Sequence, residues 1–265
     1  MGELMKKRGF GDKDAEDVQA SSPPHMIPLA HVGVVNLEYP VRIRHNGVER
    51  NVIMRIMMEI DLPEKQRGAH MSRFIENLEE GLSVPSLVHS IEELAEILAE
   101  DQLSIHTYAR HARVELATKI DYIDGKVYDL YASYDTSEKV RWIGVRTVGA
   151  IACPCAIQLT GGYSHNQRAS LHVMLGTGKS CVEAEEIVDI CEKSFSAPVK
   201  LKLKRPLEKR IVQRMHSNPR FVEDVVRRCV SLLARRYRGM KATVECVSHE
   251  SIHPYDVFAR WSGRL

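Results

Sequence analysis

The sequence predicts an α+β protein with antiparallel sheets, and three observations carry that expectation. Asn46-Gly47 and Asp124-Gly125 each stand between extended apolar runs, the pattern of strands joined by tight turns. The helical segments are grouped between strand pairs rather than alternating singly with strands. The order of strand, strand, helix, helix and strand then recurs in the second half, without sequence identity between the halves.

The elements follow in order. Residues 30–44 alternate and read as a strand, and 48–60 (VERNVIMRIMMEI) form its return partner, ended by Leu62-Pro63. Residues 69–80 carry helical spacing that stops at Gly81. Ser90-Ile91-Glu92-Glu93 is a capping box that opens a helix to about Glu100. Residues 106–122 and 126–134 read as strands. In the second half, 139–150 and 168–175 read as strands, and Gly176–Gly178 as a turn. A helix is expected over 181–194, then Pro198 and a short basic extended stretch. Helices over 207–216 and 220–238 flank Asn218-Pro219, and 241–249 (KATVECVSH) closes with a strand.

The chain has 265 residues, enough for one large domain or two small ones. Hydrophobic residues make up 44% and charged residues 27%, which suits a sizeable core. The net charge of +2 argues against a nucleic-acid or membrane partner, yet it hides a split. Residues 1–199 carry 21 basic and 29 acidic residues, whereas 200–265 carry 16 and 6, a net of +10. That basic region suggests an anionic ligand or an acidic surface. No run of about 18 apolar residues predicts a membrane span. The polar Met1–Pro24 lacks the apolar core of a signal peptide and reads as a flexible lead-in. The six cysteines are widely spread in the second half, so a disulfide framework is not expected and the cytoplasm is the expected compartment.

Six segments can carry chemistry. Cys153-Pro154-Cys155 offers two thiols after a strand, as a metal thiolate plus a reactive thiol or as two small buried hydrophobes. His165-Asn166-Gln167-Arg168 follows, and Gly161-Gly162 lets the loop fold back so that His165 can approach the thiols. Thiolate and imidazole together favour zinc or another late first-row metal. Glu208, in Arg205–Lys209, and Glu223, in Phe221–Asp224, each open a helix, where a carboxylate favours the dipole; either can instead ligate a metal or accept a paired hydrogen bond. Lys65, Arg67, His70, Ser72 and Arg73 cluster at a helix N-terminus, a setting for phosphates or a solvated charged loop. Ser248–Pro254 holds His249, Glu250 and His253, which can form a proton relay or a polar strand exit.

Together and in this order, these segments resemble the type IB GTP cyclohydrolase I family. The matching motifs are DLP and GAHMSRF (Asp61 to Phe74), CPC (Cys153 to Cys155), HNQR (His165 to Arg168), KRPLEK (Lys204 to Lys209), NPRFVED (Asn218 to Asp224) and SIHP (Ser251 to Pro254). VGVVNLEYPV (Val32 to Val41) is similar to the family's first strand, and the resemblance spans nearly the whole chain after residue 27. It implies tandem tunnelling-fold (T-fold) modules, each an antiparallel four-stranded sheet with paired helices on one face. A flexible segment at 1–26 would precede modules at 27–136 and 137–265. It also implies a homotetramer with active sites at subunit interfaces.

The activity implied is a hydrolase acting on the C–N bonds of a cyclic amidine. It converts GTP and water to 7,8-dihydroneopterin triphosphate and formate, the entry step to folate and to deazaguanine tRNA nucleosides. Archaeal relatives make the 2′,3′-cyclic phosphate of dihydroneopterin instead. Carried over, Cys153, His165 and Glu208 resemble the ligands of one divalent metal per site, Zn2+, Mn2+ or Fe2+. Cys155 resembles the family's essential second cysteine, Glu223 the anchor of the guanine edge, and His253 the catalytic histidine. Lys65, Arg67, His70 and Arg73, from a neighbouring subunit, and Arg168 are the candidates for binding the triphosphate. The pattern usually has Asp where this chain has Leu207 and Ser where it has Ala156; neither change removes a named group.

Overall fold

The computed structural model of the chain describes residues 17–82, 88–178 and 180–265. Strands β1 (Leu29–His45) and β2 (Val48–Leu62) meet at Asn46-Gly47, whose φ values of 50° and 73° are those of a hairpin turn that favours Asn and Gly. Helices α1 (Met71–Leu82) and α2 (Ile91–Ile105) follow, then strands β3 (Ala112–Asp121) and β4 (Val127–Asp135). The second half repeats the order with insertions. It runs β5 (Val140–Ala152), α3 (Pro154–Thr160), β6 (Asn166–Gly176), α4 (Ala184–Ser194) and β7 (Ala197–Pro198). Helices α5 (Arg205–Ser217) and α6 (Val222–Arg236) precede β8 (Lys241–His249) and β9 (Val257–Arg264).

The strands form one antiparallel sheet among the described residues, in the order β1-β2-β3-β4-β5-β6-β8-β9, with β7 beside β5. Strand β4 pairs with β5 from Asp129 opposite Arg146 to Asp135 opposite Val140, so the halves join edge to edge. Position 136/137, the expected module boundary, falls in this hairpin, and one apolar core runs past it.

Alternation decides which face is covered. Val114, Leu116, Leu130, Val173 and Val244 point to the helices and are fully buried, each contributing about 1.5–3 kcal/mol. Helix α2 packs on β3 and β4, α4 on β5, and α6 on β8 and β9. The Ser90–Glu93 capping box forms: Glu93 N–H donates to Ser90 Oγ at 3.3 Å and Ser90 N–H to Glu93 Oε2 at 3.1 Å. The other face, with Arg113, Glu115, Tyr131, Trp142 and His172, lines a cleft of about 830 Å³.

Three details depart from the sequence reading. Helix α2 continues to Ile105, and β3 starts only at Ala112, because buried His106 caps the helix. Helix α3 and edge strand β9 were not anticipated; α3 lacks a buried face, and β9 alternates only weakly. Residues 1–16 of the expected flexible segment lie outside the described residues. Residues Gln19 and Ser21 dock on the basic loop, where their carbonyls accept from Gly68 N–H (3.0 Å) and Arg67 N–H (3.1 Å).

A polar joint ties the halves together. His45, at the end of β1, places Nε2 2.8 Å from both Tyr128 Oη and Glu185 Oε1. Tyr128 donates to the same carboxylate oxygen at 2.8 Å. Nearby, Tyr122 donates to Asp189 at 2.5 Å and Lys126 pairs with Glu192.

Candidate functional site

The β5–β6 ladder ends with Ala152 opposite Asn166. The next positions outward are Cys153 and His165, so antiparallel pairing sets them side by side. Helix α3 and the Gly161-Gly162 turn bridge them, with φ of 73° and 138° that only glycine adopts without strain. Ser164 fastens the junction: it accepts from Cys153 N–H at 2.8 Å and donates to the His165 carbonyl at 2.9 Å. Cys153 is half-buried at the N-cap of α3, followed by Pro154 in the first turn. Cys155 lies in that turn and is exposed.

Strand β8 adds a carboxylate. Arg168 pairs with His249, which brings Glu250 to the level of Gln167. The Glu250 side chain is only 4% exposed, and its Oε2 lies 4.0 Å from His165 Nδ1. It accepts from Gln167 Nε2 at 2.6 and 2.7 Å and from Ser248 Oγ at 2.8 Å. His165 Nδ1 is buried without a hydrogen-bond partner. A thiol and an imidazole at successive positions of one strand exit are donor chemistry that fits a borderline metal ion. The buried Glu250 carboxylate stands on the Nδ1 side of the ring at ion-pair distance, which leaves Nε2 as the nitrogen to offer a metal.

The remaining candidates stand apart to different degrees. Among the described residues, no group of three or more His, Cys, Asp or Glu side chains is gathered to hold a metal ion. Glu208 is exposed in the first turn of α5, a helix fixed to the sheet through Met215 and Ile211 against Ala150, Ala152 and Ala197. Glu223 is exposed in the first turn of α6. The start of α6 is held near Cys153, because Arg220 N–H donates to the Ala152 carbonyl at 2.9 Å. His253 is exposed, and its ring stacks on Tyr255 with centroids 5.1 Å apart and planes at 9°. Arg168 is exposed at the start of β6, at the same end of the sheet as Cys153.

The basic cluster of the first half lies elsewhere. Lys65, Arg67, His70 and Arg73 follow the C-terminal end of β2, whereas Cys153 follows that of β5. These strands run in opposite directions, so the two groups occupy opposite ends of the sheet. A ten-residue strand spans about 33 Å, so one chain does not join the groups. His70, with φ of 51°, is held by the N-terminal segment: its N–H donates to Gln19 Oε1 at 2.6 Å and its Nε2 lies 3.0 Å from Asp17 Oδ2. Lys65 and Arg67 are exposed.

The sequence places Glu250 in a proton relay with His249 and His253 rather than beside His165, and it gives Ser164 no role. The available signal was register. Extending the β8 alternation by two positions beyond Ser248 puts Glu250 on the same face.

Comparison with known proteins agrees with this arrangement of motifs. The family described as Type I GTP cyclohydrolase folE2 matches residues 15–259. A GTP cyclohydrolase MptA of Pyrococcus furiosus is 33% identical over 266 residues, covering 92% of this chain and 97% of the relative. A GTP cyclohydrolase FolE2 of Thermosipho melanesiensis is 33% identical over 256 residues, covering 92% and 96%. One of Thermotoga petrophila is 34% identical over 252 residues, covering 92% and 95%. Among solved structures, a highly active BTUO mutant superposes with a TM-score of 0.53 at 9% identity, covering 89% of this chain and 100% of that one, a likeness of fold alone. The chain belongs to the type I GTP cyclohydrolase FolE2 family, on a match that runs through nearly its whole length.

Proposed function

We propose that this protein is a metal-dependent GTP cyclohydrolase that converts GTP and water to 7,8-dihydroneopterin triphosphate and formate. The observation that carries the reading is the family match over residues 15–259 together with Cys153 and His165 on successive positions at the β5–β6 exit. Two tunnelling-fold modules, assembled as a homotetramer in the cytoplasm, complete the proposal. The repeated strand–strand–helix–helix–strand–strand order supports the modules. The wide separation of the basic cluster from Cys153 supports sites shared between subunits, with Lys65, Arg67, His70 and Arg73 of one chain reaching the triphosphate held beside another chain's Cys153. No helix among the described residues is long and apolar enough to cross a membrane.

In this reading Cys153 and His165 hold one divalent ion, Zn2+, Mn2+ or Fe2+, and α5 brings Glu208 in as the third ligand. When bound, the ion supplies Lewis-acid activation of the water that adds to guanine C8. Glu223 accepts N1–H and the exocyclic amine in a paired hydrogen bond, which fixes the ring at the start of α6. Glu250 orients the His165 ring. Cys155, exposed in the first turn of α3, acts beside the metal at C8 or at the ribose. His253, held flat by Tyr255, moves protons as C8 is hydrated, formate leaves and the opened ribose recloses on the pyrimidine amines. Arg168 adds positive charge beside the phosphates.

A second reading is the archaeal-type product, 7,8-dihydroneopterin 2′,3′-cyclic phosphate. It is kept because relatives named MptA and FolE2 match at the same 33% identity. The test is incubation of metal-reconstituted protein with GTP, followed by formate assay and product mass. Mass separates the two products, and no pterin with any of the three metals overturns both readings. Cys153→Ala is expected to lose metal and turnover together, whereas Glu223→Ala keeps the metal and loses turnover. Stoichiometric metal in Cys153→Ala would refute the ligand assignment.

A further inference from the structure

Part of the basic excess of the C-terminal region lines one groove. Arg220, Arg227, Arg228 and Arg235 line a groove of about 560 Å³ along α6, with Ser231 and a single acid, Asp224. On α6, Asp224, Arg227, Arg228, Ser231 and Arg235 recur at spacings of three, four and seven residues along one face, and Arg220 stands just before the helix. Glu223 opens the neighbouring pocket, toward Arg260 and Trp261 on β9, and Arg227 and Ser231 border both.

Two features distinguish this groove from an ordinary solvated helix face. Its guanidinium groups are fixed in advance. Arg228 donates Nε to the Lys193 carbonyl at 2.9 Å, and Arg220 donates Nη2 to Asn218 Oδ1 at 3.0 Å. Its charge is only partly compensated, by the one acid Asp224 against four arginines. Asp224 is already engaged, accepting from Phe221 N–H and Arg227 Nη1, both at 3.2 Å. Arg220 is half-buried, and its Nε is buried with no partner at all. Burial, then the nearby Arg228 and Arg214 charges, hold its pKa below the ordinary arginine value, with Asp224 offsetting part of the shift. Crowding like charges around a buried unpaired donor is unfavourable unless an anion completes the site.

We propose that this groove binds an oligophosphate, whose oxygens accept from Arg220 and Arg228 and are screened by Arg227 and Arg235. Guanidinium forks match phosphate oxygens in pairs, and the short groove suits a small anion better than a polymer.

The probe is inorganic tripolyphosphate, titrated into the full-length protein by calorimetry at near-physiological salt. One equivalent per chain is expected to bind. Arg228→Gln should weaken it about tenfold or more, as loss of a charge-assisted pair does. Arg235→Gln, on an exposed groove residue, gives a second reading that does not depend on the Lys193 contact. Arg236→Gln removes the same charge from the same helix outside the groove, where Arg236 pairs with Glu186 at 3.0 Å; it should change affinity less than about twofold. Two sources of the phosphates are then separated. If GTP displaces the probe and Arg228→Gln raises KM for GTP while kcat is kept, the substrate's own triphosphate seats in the groove. If GTP and tripolyphosphate bind together, the groove takes a separate phosphorylated anion. The proposal is overturned if the protein takes up no tripolyphosphate. It is equally overturned if Arg236→Gln weakens binding as much as Arg228→Gln, or if only a long polyanion such as single-stranded DNA binds.

Discussion

Replacing Glu185 by Gln tests the joint between the two halves. Burial pushes the Glu185 carboxyl up, but hydrogen bonds from His45, Asn46 and Tyr128 outweigh it and hold its pKa at about 2, against an ordinary 4.5. That difference corresponds to at most about 3 kcal/mol. A quarter of the side chain reaches solvent, so screening leaves about 2 kcal/mol. The folded-state pKa is the depressed one. The contribution is therefore complete above about pH 4.5 and fades as pH falls toward 2. Urea unfolding of wild type and Glu185→Gln at pH 7, 5 and 3 is the assay. The variant should be about 2 kcal/mol less stable at pH 7, or about 4–8 °C lower in Tm, and the gap should narrow at pH 3. An equal gap at pH 7 and pH 3, or no gap at pH 7, would refute the reasoning.

Other expectations follow from single contacts. Glu250→Ala strips Gln167 and Ser248 of their shared acceptor and removes the buried carboxylate beside His165, so zinc affinity should fall about 10–100-fold in chelator competition. Unchanged affinity would remove Glu250 from the site. A β-carbon on Gly149 would stand 2.1 Å from Cγ of the fully buried Phe195 ring. Gly149→Ala should therefore cost about 1–3 kcal/mol, and Phe195→Leu in the same chain should recover part of it; additive losses would contradict the clash.

The sequence by itself determined the local order of this protein. Alternation in 48–60 and 241–249, the Asn46-Gly47 turn and the Ser90–Glu93 capping box are written in adjacent residues, and each appears in the structure. The motif order from Asp61 to Pro254 was equally legible and sufficed to place the family. What stayed hidden depends on which strands become neighbours. Joining the halves through β4 and β5 is a choice between sheet edges that no local pattern encodes. Strand β9 was missed because an edge strand buries too little to show a strong alternation. The site divides in the same way. Cys153 and His165 were recognisable as donors, but only the Ala152–Asn166 register makes them adjoin, and only the β6–β8 register adds Glu250 beside them. The antiparallel run of β2 against β5 sends Lys65–Arg73 to the far end of the sheet, a separation set by strand direction rather than by residue type. Packing decided these points because side chains far apart in sequence meet only after the sheet has chosen its order and register.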